Sequence, residues 1–171
     1  PVLRRMRRWH TREQYRRRTL EIAERVAPLG LGADVITGFP GETDDDHDLT
    51  RRLVEELPFT YLHVFPFSPR DGTQAADLPD PVPQRVAGER GRELRELAQA
   101  KNAAYRRARA GSRASVVVEG KGAQALTGDY LRVGVRGSSA VPRGPMGLVE
   151  GMLHAEGDHL YIALPPPTPS Y

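Results

Sequence analysis

Residues 31–72 read LGADVITGFPGETDDDHDLTRRLVEELPFTYLHVFPFSPRDG, and their punctuation decides the fold class. Two short apolar runs, 31–37 and 61–67, each end in a polar loop that carries glycine and proline. Between them Thr43 offers a helix N-cap, Asp44, Asp45 and Asp46 fill the first turn where a helix dipole favours negative charge, and Leu49, Leu53 and Leu57 recur every four residues as an expected buried stripe. The block therefore reads strand, loop, helix, strand, loop, the repeating unit of parallel α/β sheets and barrels. In such folds ligands are met at the carboxyl ends of the strands. The loops 38–43 and 68–73 lie at those ends.

The first loop, GFPGET, combines two glycines able to adopt positive φ with a proline that stiffens the chain between them. Glycine-rich turns leading into helices often cradle phosphate, but three aspartates in the first helical turn repel one, which argues against a nucleotide phosphate site. Local spacing leaves two readings open: a neutral or zwitterionic ligand along the strand end, or a tight turn that only connects strand to helix. The second loop, SPRDGTQAADLPDPVP, is long and poor in apolar residues, as functional loops often are. Arg70 opens it as a fork suited to phosphate or carboxylate. His63 is expected as a packed histidine in the second strand. His10, His47, His154 and His159 show no ligand spacing, and neither a metal site nor a catalytic residue is expected in the chain.

Upstream, Thr11 and Gln14 have capping-box spacing ahead of a helix through Tyr15, Ile22 and Val26, stopped by Pro28 and Gly30. Downstream of Pro83 a long helix runs to about Ala110, with Val86, Leu94, Leu97, Ala98 and Tyr105 on one face and Gly88 and Gly91 weakening it early. From Gly111 the character changes to short β-type runs, ASVVVEG, LTGDYLRVGV, GLVEGML and HLYIAL, separated by turn residues as in a small barrel or sandwich. A domain boundary is expected near residues 108–112. PPPTPS at the end reads as a tail.

The 171 residues, 39% hydrophobic and 27% charged with a formal charge of +3, have the balance of a globular chain. Arginines crowd 4–18 and 85–109, which suits a polyanionic partner as well as solvated helix faces. No apolar run approaches the length of a membrane span, and a cytoplasmic location is expected. There is no cysteine, hence no disulfide and no thiolate ligand.

The ordered set MRRWHTREQY, DVITGFPGET, YLHVFPFSPRDGT and LTGDYLRVGV resembles the carboxyl-terminal half of a radical S-adenosylmethionine methylthiotransferase. The resemblance runs from Val2 to about Leu164. HVFPFSPR looks like the branch that acts on threonylcarbamoyladenosine beside the tRNA anticodon. Competing branches modify isopentenyladenosine or a ribosomal protein, and a stand-alone RNA-binding module is a further alternative. The fold implied is α/β plus all-β: residues 1–107 as the last part of an open (βα) radical SAM barrel, 108–165 as a small TRAM β-barrel that binds RNA, and 166–171 as the tail.

The family's reaction places a methylthio group on carbon 2 of the adenine, with S-adenosylmethionine and two 4Fe-4S clusters in the full-length protein. No cluster is expected to be bound by cysteine here, so the resemblance implies a fragment that is inert without the amino-terminal part of the same polypeptide. It also implies roles for individual residues. Ile36, Thr37, Gly38 and Glu42, with Phe67 and Ser68, would line the S-adenosylmethionine pocket. Arg70, Thr127, Tyr130 and Arg132 would meet a tRNA anticodon stem-loop. Asp129 stands where the family commonly has asparagine, and Ala125 where it commonly has glycine.

Overall fold

A computed structural model describes residues 1–119, 124–136, 148–157 and 159–163. The expected tail PPPTPS lies outside the described residues. Along the chain run α1 (Val2–Arg5), α2 (Arg12–Arg25), β1 (Gly32–Thr37), α3 (Asp44–Glu56), β2 (Tyr61–Pro66), α4 (Gln84–Arg109), β3 (Arg113–Glu119), β4 (Gln124–Thr127), β5 (Arg132–Arg136), β6 (Leu148–Glu156) and β7 (His159–Ala163). The chain divides into two compact units, Pro1–Lys101 and Asn102–Tyr171, with α4 continuous through the division.

In the first unit β1 and β2 pair in parallel, Gly32 opposite Tyr61 through Thr37 opposite Pro66. Their inward residues Ala33, Val35, Leu62 and Val64 pack on a core of Val54, Leu57, Phe59 and Leu94, joined by Tyr15, Leu20 and Leu97 from α2 and α4. The helix starts follow the local chemistry. Thr11 and Gln14 form a reciprocal capping box, and Thr43 and Asp46 form another. The opposite face of the sheet is open: Ile36 is 40% and Phe65 51% exposed, side by side in register. Tyr61, His63 and Phe65 line up there, their rings 5.6 Å and 6.4 Å apart in sequence.

Two expectations are corrected here. His63 is exposed on this open face and not packed, because the strand alternation that buries Leu62 and Val64 turns it outward. On α3, Leu49 is 40% exposed and the buried positions are His47 and Val54, with Leu57 buried just past its end. A strict four-residue spacing advances about 40° beyond a full turn at each step, so three such leucines spiral off one face, whereas residues seven apart nearly realign.

The second unit is a closed barrel in the order β3-β4-β5-β7-β6, with β3 and β6 paired antiparallel to complete it. All neighbours are antiparallel except β5 and β7, which run parallel. Strand alternation fills the interior with Ala114, Val116, Ala125, Val133, Val149, Leu153, Leu160 and Ile162, plus Leu131. Closure leaves no sheet edge. LTGDYLRVGV is not one strand: it folds into two, β4 and β5, around a turn at Gly128–Tyr130. The barrel is compatible with the small RNA-binding barrel that the resemblance implies.

The corrected stripe on α3 is measurable. Leu57→Ala, at a fully buried position, lowers unfolding free energy by about 2–5 kcal/mol, whereas Leu49→Ala stays within about 0.5 kcal/mol. Equal losses in denaturant titrations would contradict the packing described.

Candidate functional site

Parallel pairing brings the carboxyl ends of β1 and β2 side by side, and the Phe67 N–H donates to the Thr37 carbonyl at 2.7 Å just beyond the last ladder pair. Two loops meet at that rim. Phe39 is buried with its ring edge-on to Phe67, centroids 5.1 Å apart, and the Gly41 N–H donates to the Asp80 carbonyl at 2.8 Å. Gln84 at the start of α4 donates to the Phe67 carbonyl at 3.1 Å.

The GFPGE turn is folded around its own carboxylate. Gly38 and Gly41 both have positive φ, 75° and 80°, a region costly for residues with a Cβ. A Cβ on Gly38 would also stand 2.3 Å from that of Ala87, so α4 approaches the strand end closely. In this conformation the Gly38 N–H donates to Glu42 Oε2 at 2.6 Å, and the Glu42 N–H donates to the Phe39 carbonyl at 2.9 Å.

Arg90 on α4 completes the arrangement: it donates to Glu42 Oε2 at 2.7 Å, to the Glu42 carbonyl at 3.2 Å and to Asp44 Oδ1 at 2.7 Å. The Arg90 side chain is 8% exposed and that of Glu42 5%. Burial pulls the Arg90 guanidinium down, but the hydrogen bonds to Asp44 and Glu42 outweigh it and hold it above the ordinary range. Thr37 is equally occupied, its hydroxyl donating to the Ala87 carbonyl at 3.0 Å.

The structure thus places Ile36 on the open sheet face, while Thr37, Gly38 and Glu42 form a self-satisfied frame beneath it. Phe67 is half-buried at the same rim. Ser68 and Arg70 are exposed farther along the loop, where the Arg70 carbonyl accepts from the Thr73 N–H and hydroxyl. The Arg70 guanidinium has no ion-pair partner among the described residues.

In the second unit the turn between β4 and β5 is organised by a buried carboxylate. Asp129 is 3% exposed; it accepts from Arg109 Nε at 2.7 Å and from the Tyr105 hydroxyl at 2.6 Å, both from the end of α4. Burial alone would raise the Asp129 carboxyl, but hydrogen bonds from Arg109, Tyr105 and Thr127 hold it below its usual range. Burial, then the bond to Asp129, pushes the Tyr105 hydroxyl up. Thr127 is buried and its Oγ1 accepts from the Leu131 N–H at 2.9 Å. Tyr130 is 66% exposed, and Arg132 projects from the start of β5, where among the described residues it makes a 3.9 Å pair to Glu119.

No protein-family profile matches the chain. Among curated proteins it is 40% identical over 158 residues to the threonylcarbamoyladenosine tRNA methylthiotransferase MtaB of Treponema pallidum (strain Nichols), covering 91% of this chain and 32% of that protein. MtaB of Aquifex aeolicus (strain VF5) is 35% identical over 134 residues, 77% of this chain and 32% of its own length. The tRNA-2-methylthio-N(6)-dimethylallyladenosine synthase of Sorangium cellulosum (strain So ce56) is 47% identical over 120 residues, 70% of this chain and 24% of its own length. The chain is homologous to tRNA methylthiotransferases. It spans about a third or less of the length of these relatives. The Treponema alignment is longer than either compact unit, so the methylthiotransferase likeness reaches into both.

Sequence reading did not single out Arg90, Tyr105, Arg109 or Asp129 as partners. The signal for Arg90 was available: it shares a helix face with Ala87, Gly91 and Leu94, all buried, and an arginine on such a face requires an acid. Among the described residues no cluster of three or more His, Cys, Asp or Glu is placed to hold a metal ion. No helix among them is long and apolar enough to cross a membrane.

Two outcomes follow from these buried charges. Arg90→Met leaves the Glu42 carboxylate buried without its cation and costs about 3–5 kcal/mol, and adding Glu42→Gln recovers part of the loss. A single variant within about 0.5 kcal/mol of the parent in denaturant titrations would refute the role given to the pair. For Asp129, a carboxyl held below its unfolded value gives stability that is full above about pH 4 and fades as pH falls further, since the unfolded state then binds the proton more readily. Thermal melts from neutral to acid pH should show Asp129→Asn to be less stable at neutral pH and to lose less on acidification. A parallel pH profile would contradict this.

Proposed function

We propose that this chain is the carboxyl-terminal part of an enzyme that adds a methylthio group to carbon 2 of threonylcarbamoyladenosine beside the tRNA anticodon. The observation that carries the reading is the 40% identity to the Treponema MtaB protein over 91% of the chain, reaching into both compact units. The 47% identity to the Sorangium dimethylallyladenosine synthase over 70% of the chain supports a second reading, in which the base carries the isopentenyl group instead.

The first unit supports the role of a wall in a larger (βα) barrel. A parallel sheet is ordinarily covered on both faces, whereas β1 and β2 are covered on one and present Ile36, Tyr61, His63 and Phe65 on the other. An iron–sulfur cluster does not fit these residues, because the chain has no cysteine to supply a thiolate. The chain alone is therefore inert, and the clusters belong to the rest of the polypeptide. The strand ends fit S-adenosylmethionine better: Ile36 offers apolar surface for a ring, with the Thr37–Gly38–Glu42 frame below and Phe67 and Ser68 at the rim. When bound with a cluster, that cofactor supplies the radical and the methyl group. The protein's part is to hold and orient it at the rim. Arg70, exposed and without an ion-pair partner among the described residues, is assigned to the RNA side, and the barrel adds Tyr130 and Arg132, whereas Thr127 is buried and closes the turn behind them. The setting is cytoplasmic tRNA modification.

The test is nucleoside mass spectrometry of tRNA from cells lacking the gene that encodes this chain. Loss of methylthio-threonylcarbamoyladenosine, with the unmethylthiolated base accumulating, is the expected result. An unchanged nucleoside profile would defeat the assignment, and loss of the isopentenyl counterpart would transfer it to the second reading.

A further inference from the structure

The turn between β4 and β5 breaks a stereochemical rule. Thr127 and Leu131 face each other across three loop residues: the Thr127 N–H donates to the Leu131 carbonyl at 3.0 Å, and the Tyr130 N–H donates to the Thr127 carbonyl, also at 3.0 Å. Three-residue hairpin loops of this kind place their last residue in the left-handed region, where glycine is the ordinary choice. Here that residue is Tyr130, at φ 62°. Its ring gains little from packing, being 66% exposed. A bulky aromatic in a backbone conformation it disfavours, without burial to compensate, marks a place where local preference is overridden for function.

The surroundings show what enforces the conformation. Asp129, the residue before it, is fixed by Arg109 and Tyr105, and Thr127 closes the loop through its side-chain bond to the Leu131 N–H. Beyond the turn stands Arg132, its side chain 73% exposed. Its carbonyl accepts from Arg106 at 3.1 Å, which brings a second cation to the same strand. A presented aromatic ring two residues from the exposed Arg132 guanidinium suits a single-stranded nucleic acid, whose bases stack while its phosphates pair.

Resting on the RNA-binding reading above, we propose that Tyr130 is a stacking residue for an unpaired RNA base, presented in a left-handed turn by the positioning residues Asp129, Arg109 and Tyr105. Glycine at this position suits the backbone better and removes only the ring.

The test uses the full chain and an RNA hairpin with a single-stranded loop, with affinity read by fluorescence anisotropy across a salt series. Tyr130→Gly should keep a melting temperature no lower than the parent's yet bind about 5- to 140-fold more weakly, the loss per stacked base. Its salt dependence should match the parent's, since stacking releases no counterions. Tyr130→Phe should bind as the parent does. Asp129→Asn should weaken binding in the parent but not in the Tyr130→Gly background, which a general loss of folding would not reproduce. Parent-like affinity in Tyr130→Gly, or a reduced salt slope, would overturn the stacking role. Binding lost equally on Asp129→Asn in both backgrounds would overturn the positioning role. If the parent chain itself fails to bind the hairpin, the RNA-binding reading fails and the inference with it.

Discussion

A parallel sheet needs cover on both faces, and in the first unit only one is provided. The inner face of β1 and β2 rests on Val54, Leu57, Phe59 and Leu94, while Ile36 and Phe65 stand 40% and 51% exposed on the other. Exposed apolar residues scattered singly are ordinary; a row of them in register, with Tyr61 and His63 beside them, is a face made for contact. The closed barrel of the second unit needs no partner strand, since its strands complete one another around an apolar interior, although Val117 and Leu148 stand exposed and in register on its outer surface. The barrel closes on itself, whereas the two-stranded sheet has one open face and no further strand paired at either edge among the described residues.

What keeps the rim at the ends of β1 and β2 in shape is electrostatic. The Glu42 carboxylate holds the Gly38 N–H and is itself held by Arg90, so loop, strand end and helix share one buried charge pair. Buried ion pairs are weak evidence for net stability, because desolvation offsets much of the attraction. Their geometry is a better guide to purpose. Here the pair fixes a glycine turn at positive φ against α4, and the rim residues then have a defined place. The turn at Asp129 in the second unit uses the same device, a nearly inaccessible carboxylate between an arginine and a loop.

The sequence was most legible where the determinants are local. Thr11 with Gln14 and Thr43 with Asp46 announced both helix starts, and the two glycines of GFPG announced the positive φ values found at 38 and 41. It was least legible where a residue's meaning depends on a distant partner. The apolar face that Arg90 shares with Ala87, Gly91 and Leu94 indicates that it requires an acid, but nothing nearby names Glu42 or Asp44, and nothing near Asp129 names Arg109. Periodicity misled at Leu49, where regular spacing does not match the helical repeat. At LTGDYLRVGV, Gly128 and Asp129 did carry a turn signal, but the left-handed residue proved to be Tyr130, a bulky aromatic that no turn preference singles out. The family was legible from GFPGET and HVFPFSPR, whose order no composition argument supplies.

The proposal that this sheet, in which β1 has no second neighbouring strand among the described residues, is part of a larger barrel meets its sharpest check in hydrogen exchange. Amide protection would be compared between this chain and the longer enzyme that contains it. The account predicts that the β1 amides not bonded to β2 exchange rapidly in the isolated chain and become strongly protected in the longer protein, while β3–β7 exchange alike in both. Equal exchange of the β1 amides in the two proteins would contradict it.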